Sequence, residues 1–353
     1  MLGSLCYNRY MLIRENVPIA ALTTMRLGGP AKFVLEIRNN DDVVAAYDFA
    51  KERNLLTWVM GGGANTIGLD AGFEGAILLN RASGIEVISE DDTELTIKCQ
   101  GGEIWDNVVR FACERGYSGI EAMSLIPGTV GAAPVQNIGA YGQEVSQVIA
   151  NVDTYDTRTR QFVTLEKSEM VLGYRHTRFN AGVDKDRFFI TAVTLQLKKA
   201  HMQPPFYASL QAYLDEHEIK DYSPMAIRTA VCAIRESKLP DPEKVASAGS
   251  FFKNVYVEKD EIAEVEANGI PVRREASGRG KVNAGWMVEQ CGLKGKELYG
   301  FRVSDKAALV LINEKAKSYA DLAKARAEIV EKVKNKFGLT LEQEPVEIPL
   351  KER

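Results

Sequence analysis

The 353-residue sequence is poor in the side chains that build metal sites and disulfide frameworks. It has three histidines and five cysteines, and Cys6, Cys99, Cys113, Cys232 and Cys291 stand far apart with no C-x-x-C pair. That spacing excludes a zinc ribbon or a disulfide scaffold and leaves the thiols as small apolar side chains of a reducing compartment. His176, His201 and His217 have no second ligand at metal spacing, so no metal is expected and each is read as a surface or loop residue. Long apolar runs are missing too: nothing approaches the ~20 residues of a membrane helix. No apolar stretch of the signal-peptide kind precedes Cys6, and Arg9 and Arg14 soon follow it. Neither a signal peptide nor a membrane partner is expected, and the location reads as cytoplasmic. Nor is there an excess of positive charge. Forty-four Lys+Arg against 48 Asp+Glu give −4, which is not the basic footprint of a nucleic-acid binder but leaves room for a local pocket for a small anion.

What the chain does have is glycine, 29 residues of it in bunches, on a length that fits two or three domains at ~100–200 residues each. The pattern predicts an α+β fold. A strand at 31–37, a helix at 41–53 with Val43, Val44, Tyr47 and Ala50 as its apolar stripe, and a strand at 55–60 form a β-α-β unit. Strands follow at 75–79, 85–89, 95–100, 148–155, 161–165 and 187–197, with a helix at 104–115. Residues 201–222 read as an inserted loop or short helix before a helix at 224–237. A linker around Pro240 and Pro242 leads to a strand at 250–257, helices at 259–267 and 284–290, and a strand at 307–313. The last helix opens on Ser318 with Asp321 three residues on, carries Leu322, Ile329, Val330, Val333 and Phe337, and stops at Gly338. A short strand is expected at 339–341. Trp58, Trp105 and Trp286 are expected in cores.

Two glycine runs carry the chemistry. GGGANT at 61–66 directly follows a predicted strand, and consecutive amides without side chains can converge on phosphate oxygens or make a plain tight turn. No Walker lysine follows, and no G-x-G-x-x-G opens a helix, so a P-loop NTPase and a Rossmann nicotinamide domain are both disfavoured. IPGTVGAAPVQNIGAYG at 126–142 has four glycines, two prolines and no charge, which is no ordinary exposed loop. Together the runs suggest a dinucleotide cofactor gripped by loops.

In this order the two runs resemble the vanillyl-alcohol-oxidase-type (PCMH-type) FAD domain. With TTMRLGGPA at 23–31, GYRHTRFN at 173–180, KLPDP at 238–242, AGSFFKN at 248–254 and LEQEP at 341–345, the chain resembles the UDP-N-acetylenolpyruvoylglucosamine reductase (MurB) family over nearly its whole length. It departs from the family pattern at Thr23, at Ala64 and at Asn254-Val255, where the family usually has Asn, Ser and Asn-Pro. The resemblance implies a two-lobed FAD-binding domain, 9–67 with 339–353 as one lobe and 68–238 as the other, plus a smaller α+β substrate domain at 239–338. It also implies the flap-bearing subtype, with 201–222 as the flap.

The activity implied is the reduction of UDP-N-acetylglucosamine enolpyruvate by NADPH through FAD, in peptidoglycan precursor synthesis; a monomer is expected. Hydride goes to C3 of the enol ether and a proton to C2, so the site needs fixed donors at the carboxylate and a proton source. By resemblance Ser250 is the proton donor, Arg175 holds the carboxylate, and Glu344 sits opposite, with Glu342 as its rival. The flavin contacts implied are Gly61, Gly62, Gly63, Ala64, Asn65, Thr66, Pro127, Gly128, Thr129, Gly131, Ala132, Gln136, Asn137, Gly139, Ala140 and Tyr141. Tyr207, Lys238, Asn254, Gln290 and Lys281 are the implied substrate contacts.

Overall fold

A computed structural model describes residues 11–275 and 277–348, and backbone contacts divide them into two units. Cys6 lies outside the described residues. The first unit holds 31–62 and 74–236 with the described residues before Pro18; the second holds 18–30, 63–73 and the chain from Ser237.

In the first unit one sheet has the order Ile13–Pro18, Pro30–Ile37, Phe73–Asn80, Thr57–Met60. Helix α1 (Asn40–Glu52) follows its second strand and is capped reciprocally. The Asn39 side chain accepts from the Asp42 amide at 2.9 Å, and the Asp42 carboxylate accepts from the Arg38 amide at 2.9 Å. Its buried face is Val43, Ala46, Phe49 and Ala50. Val44 and Tyr47, expected in the stripe, pack at its margin, because Phe49, edge-on to Phe33 at 5.1 Å, anchors the face instead. The predicted β-α-β strands share this sheet, but Phe73–Asn80 lies between them.

The second sheet is antiparallel, in the order Gln161–Glu166, Ile149–Asp156, Phe188–Lys198, Glu94–Gln100, Ile85–Glu90. Leu95, Ile97 and Cys99 alternate inward, as a one-sided strand requires. They meet Trp105, Val108, Val109 and Ala112 of α2 (Trp105–Glu114) in one core. Residues 201–222 are not a plain loop. They contain α3 (Ala208–Glu216), whose Leu210 and Leu214 pack with Phe206 on Ile227, Ala230, Val231 and Ile234 of α4 (Pro224–Lys238). This gives the predicted flap a small core of its own.

The second unit has a sheet in the order Ser247–Ser250, Val310–Asn313, Phe301–Val303, Glu297–Leu298, and another in the order Val255–Val257, Gly280–Val282, Val272–Arg274. It also has α5 (Ile262–Ala267), α6 (Ala284–Gln290) and α7 (Tyr319–Phe337). The long helix begins and ends where its caps predict. Ser318 accepts from the Asp321 amide at 3.1 Å, and Gly338, at φ 73°, donates its N–H to Lys334 O at 2.8 Å.

Three expectations fail here. The strand expected at 250–257 is broken at 251–254, its halves lying in different sheets. Residues 339–341 form no strand; the chain pairs later, Val346–Glu347 running parallel to Thr66–Ile67. Trp58 is only half-buried, whereas Trp105 is fully enclosed and Trp286 packs partly buried against the second unit's core.

The second unit also takes in two segments from the first part of the chain. Met25, Leu27 and Ile67 belong to the same core as Phe251, Met287 and Leu322. Ser247 N donates to Thr24 O at 3.1 Å, Asn313 Nδ2 to Met25 O at 3.1 Å, and Val346 N to Asn65 O at 2.9 Å. These contacts draw 18–30 and 63–73 out of the N-terminal sheets.

Candidate active site

The first unit brings its two glycine segments together backbone to backbone. A Cβ on Gly61 would lie 2.2 Å from Thr129 Oγ1, and one on Gly62 would lie 3.0 Å from Gly128 Cα. Gly128 itself has φ 123°, which side chains rarely adopt. Gly131 donates its N–H to Gly101 O at 2.8 Å, with Pro127 and Ala132 exposed on either side. Thr129 Oγ1 and Gln136 Oε1 are buried and make no hydrogen bond. Such orphaned polar atoms are costly unless a ligand satisfies them.

The next residues are structural. Asn137, at φ 44°, donates to Glu144 at 3.0 Å and Gly173 O at 3.3 Å and accepts from Ser146 N at 3.0 Å. Gly139 and Ala140 pair with Glu144 and Gln143. Tyr141, at φ 48°, meets Tyr207 edge-on at 5.8 Å.

Arg175 sits at the tip of a hairpin whose ends, Gly173 and His176, exchange backbone bonds of 2.8 and 3.4 Å. Its φ is 53°. Its Nη1 donates to Asn137 O at 3.1 Å, its carbonyl accepts from Asn180 Nδ2 at 3.2 Å, and its guanidinium lies 5.1 Å from the Tyr174 ring. The predicted carboxylate holder is thus tied to the glycine-rich segment.

One residue here escapes the sequence reading. Arg235 of α4 donates to Leu125 O at 3.1 Å and hydrogen-bonds the Tyr141 side chain, so it grips both ends of the uncharged run. Its Nε is buried without a partner, and burial draws the guanidinium pKa below its usual value. One clue was available: Arg228 and Arg235 are seven apart on one helix face. Arg228 makes two 2.7 Å bonds to Asp106, which also accepts from Leu125 N at 2.7 Å.

The rest of the first glycine run belongs to the second unit. Gly63 has φ 65° and accepts from Thr24 N at 3.2 Å, and a Cβ there would lie 2.0 Å from Leu22 O. Ala64 O accepts from Thr24 Oγ1 at 3.4 Å. Asn65 and Thr66 meet the strand at Val346.

Ser250 closes its strand after a register shift that contains Gly249 at φ 67°, and it is exposed. A bulge of this kind re-aims the residue that follows it. Residues 342–344 run antiparallel beside it: Glu344 N donates to Phe251 O at 2.9 Å, Lys253 N to Glu342 O at 2.8 Å, and Phe252 bridges Gln343. Glu342, 74% exposed, lies 3.4 Å from Lys253 Nζ, whereas Glu344 is half-buried.

Asn254 Oδ1 accepts from Ala284 N at 3.1 Å, at the start of α6. Lys281 pairs with Glu275 at 3.7 Å, and both Lys281 and Arg279 approach the Tyr256 ring, at 5.4 and 4.6 Å. Gln290 is at the other end of α6, about 9 Å along the axis from Ala284, and Lys336 Nζ donates to its carbonyl. Lys238 is exposed at the end of α4. Ser250, Asn254 and Glu344 are therefore grouped on adjacent stretches, while Gln290 and Lys238 stand on separate elements. Among the described residues no cluster of His, Cys, Asp or Glu could hold a metal ion, and no helix is long and apolar enough to cross a membrane.

Residues 31–160 match the family described as FAD binding domain, and residues 241–348 match that described as UDP-N-acetylenolpyruvoylglucosamine reductase, C-terminal domain. A protein named UDP-N-acetylenolpyruvoylglucosamine reductase from Xanthomonas campestris pv. campestris (strain 8004) is 36% identical over 343 residues, covering 96% of each chain. This chain belongs to the UDP-N-acetylenolpyruvoylglucosamine reductase family. A reductase of the same name from Ralstonia nicotianae is 36% identical over 96% of this chain and 99% of its own. The solved structure of the Thermus caldophilus reductase superposes with a TM-score of 0.66 at 21% identity, covering 96% of this chain and all of that one, and so shares the fold. The α+β class expected for this reductase family is the one found. The site also fits the family's flavin. The cradle leaves no room for Cβ atoms at Gly61, and Thr129 and Gln136 offer two buried polar atoms that need a partner.

Proposed function

We propose that this chain reduces UDP-N-acetylglucosamine enolpyruvate to UDP-N-acetylmuramate, with FAD bound and NADPH as reductant, in peptidoglycan precursor synthesis. The observation that carries the reading is the bulge at Gly249, which turns an exposed Ser250 out beside the stretch that bears Glu344. When bound, FAD supplies the redox centre that takes hydride from the nicotinamide and passes it to the enol ether.

The chain's own residues do the rest. Gly61, Gly62, Gly128 and Thr129 of the first unit would hold the flavin. Arg175 grips the substrate carboxylate with its planar fork, where charge builds as hydride arrives at C3. Ser250 Oγ gives its proton to C2; a hydroxyl is a weak acid, but the enol-like species formed there is a strong base. Glu344, rather than the solvent-facing Glu342, acts at the carboxylate end. Lys238, Asn254, Lys281 and Gln290 take the nucleotide sugar, with 239–338 as the substrate domain. Tyr207 covers it from 201–222, a flap that excludes water. The scarcity of long apolar runs and the net charge of −4 support a cytoplasmic location with neither membrane nor nucleic-acid partners.

The test is spectroscopic. Purified protein should be yellow, bleach with NADPH in the absence of oxygen, and regain its colour when the enolpyruvyl nucleotide sugar is added. A bleached flavin that this sugar fails to reoxidise would overturn the substrate assignment.

A further inference from the structure

The middle residue of LEQEP has no part in the chemistry above, yet its side chain is among the most heavily bonded in the second unit. Gln343 Oε1 accepts from Arg326 Nη1 at 2.7 Å, and its Nε2 donates to Pro345 O at 2.7 Å and to Glu347 Oε1 at 3.2 Å. Arg326 Nη1 also donates to Glu347 Oε1 at 2.6 Å, and Tyr319 OH donates to the same oxygen at 2.8 Å. Arg326 and Tyr319 both belong to α7.

That helix has other anchors as well. Leu322, Ala325, Ile329 and Val333 already bury one face of α7, and both its ends are capped. At its N-terminus the Asp70 carboxylate accepts from Tyr319 N at 2.6 Å and Ala320 N at 3.2 Å.

What the network does hold is the stretch on either side of Glu344. The Gln343 amide reaches over Glu344 to the carbonyl of Pro345, while the Glu344 amide is bonded to Phe251 O and the Val346 amide to Asn65 O. Residues 343, 344 and 346 are thus fixed by α7, by the residues after Ser250, and by the end of the first glycine run. In extended chain alternate side chains point to opposite faces. Pulling Gln343 towards α7 therefore presents Glu344 on the other face.

We propose that Arg326 and Gln343 are positioning residues that set Glu344 for reaction. This rests on the role given to Glu344 above. The pair never touches the reacting atoms; it removes the freedom of the peptide that carries the carboxylate, and small displacements of such groups cost rate steeply.

The experiment compares Gln343→Leu, Arg326→Met, Glu344→Gln and the double variant Glu344→Gln/Gln343→Leu. Anaerobic stopped-flow should show flavin reduction by NADPH within about twofold of wild type and reoxidation by the enolpyruvyl sugar slowed roughly tenfold in each positioning variant. The sugar's dissociation constant should change less than about threefold. Hydrogen exchange of a peptide covering 341–348 should speed up in both variants, with or without substrate. In the double variant, Gln343→Leu should add nothing to the loss from Glu344→Gln, because one residue acts through the other.

Wild-type reoxidation in Gln343→Leu alongside a slow Glu344→Gln would overturn the positioning role alone, as would losses that multiply in the double variant. Fast reoxidation in Glu344→Gln would instead remove the role of Glu344 and this inference with it. Should Arg326→Met fail to fold, Gln343→Leu carries the test, since it keeps the Arg326–Glu347 pair.

Discussion

The glycine cradle of the first unit and the strap at 342–348 of the second fix geometry by opposite means. In the cradle, side chains are missing. Gly61 and Gly62 let one backbone reach Thr129 and Gly128, so adding a single carbon at Gly61 forces a 2.2 Å contact. In the strap, side chains do the fixing, and Gln343, Glu347 and Arg326 bond one another across two elements. The first kind of site is broken by adding an atom and the second by taking a bond away. The difference also decides what can be read beforehand, since glycine announces itself in sequence whereas a glutamine between two glutamates does not.

The largest effect expected is chemical. Ser250→Ala should leave bleaching by NADPH unchanged and slow reoxidation by the enolpyruvyl sugar on the order of 10³-fold, within the usual span for a lost general acid. Wild-type rates in both half-reactions would show that Ser250 is not the proton donor.

Next comes the cradle. Gly61→Ala should weaken FAD binding roughly a hundredfold, read from flavin fluorescence on titrating the apoprotein, because the new Cβ must displace Thr129 Oγ1. Adding Thr129→Ala should return part of that loss by clearing the contact. If it returns none, the close approach is not what makes glycine necessary.

A smaller effect concerns the support beneath the cradle. Burial alone would raise the Asp106 carboxyl, but the bonds from Arg228 and from Leu125 N outweigh it and hold its pKa below the ordinary value. A depressed carboxyl contributes stability that is complete above the unfolded value, near ~4, and fades as pH falls through the lower folded value. Asp106→Asn should therefore cost about 2 kcal/mol between pH 6 and 8, seen as a lower Tm. The gap to wild type should close as pH drops below about 4. A gap independent of pH would mean that charge plays no part.

The smallest effect tests enclosure alone. Burial pushes the Cys99 and Cys113 thiols up to about 12. At pH 8 that leaves about one thiolate in 10⁴, so both should resist alkylation in native protein and react on unfolding, by mass spectrometry.

Local signals were legible in the sequence and long-range ones were not. Ser318, Asp321 and Gly338 define α7 from within its own length, and α6 is found where it was read, at Ala284–Gln290. The two glycine runs marked a cradle whose halves do meet at Gly61, Gly62, Gly128 and Thr129. The break at 251–254 was hidden because Phe252 and Lys253 look like strand residues, and what ends the strand is pairing with Gln343 and Glu342 far along the chain. The later pairing at Val346–Glu347 escaped for the same reason, since Thr66–Ile67 is its partner. Arg235 looked like one more helix arginine because nothing in α4 shows that Leu125 and Tyr141 lie beneath it. The contacts of Lys238, Gln290 and Tyr207 with a nucleotide sugar were named by resemblance and remain part of the proposed function.

The division of the first glycine run sets a timetable for synthesis. Gly61 and Gly62 belong to the unit that ends near Glu236, while Gly63 to Thr66 belong to a unit that also needs the chain from Ser237 onward. Asn65 leaves the ribosome about 280 residues before Val346, the residue whose amide it receives. At ~5–20 residues per second that is a wait of roughly 14–56 s. Until Phe251, Met287 and Leu322 are made, well into that interval, Met25, Leu27 and Ile67 have no core to enter. Pairing of Val346–Glu347 with Thr66–Ile67 is accordingly a late event.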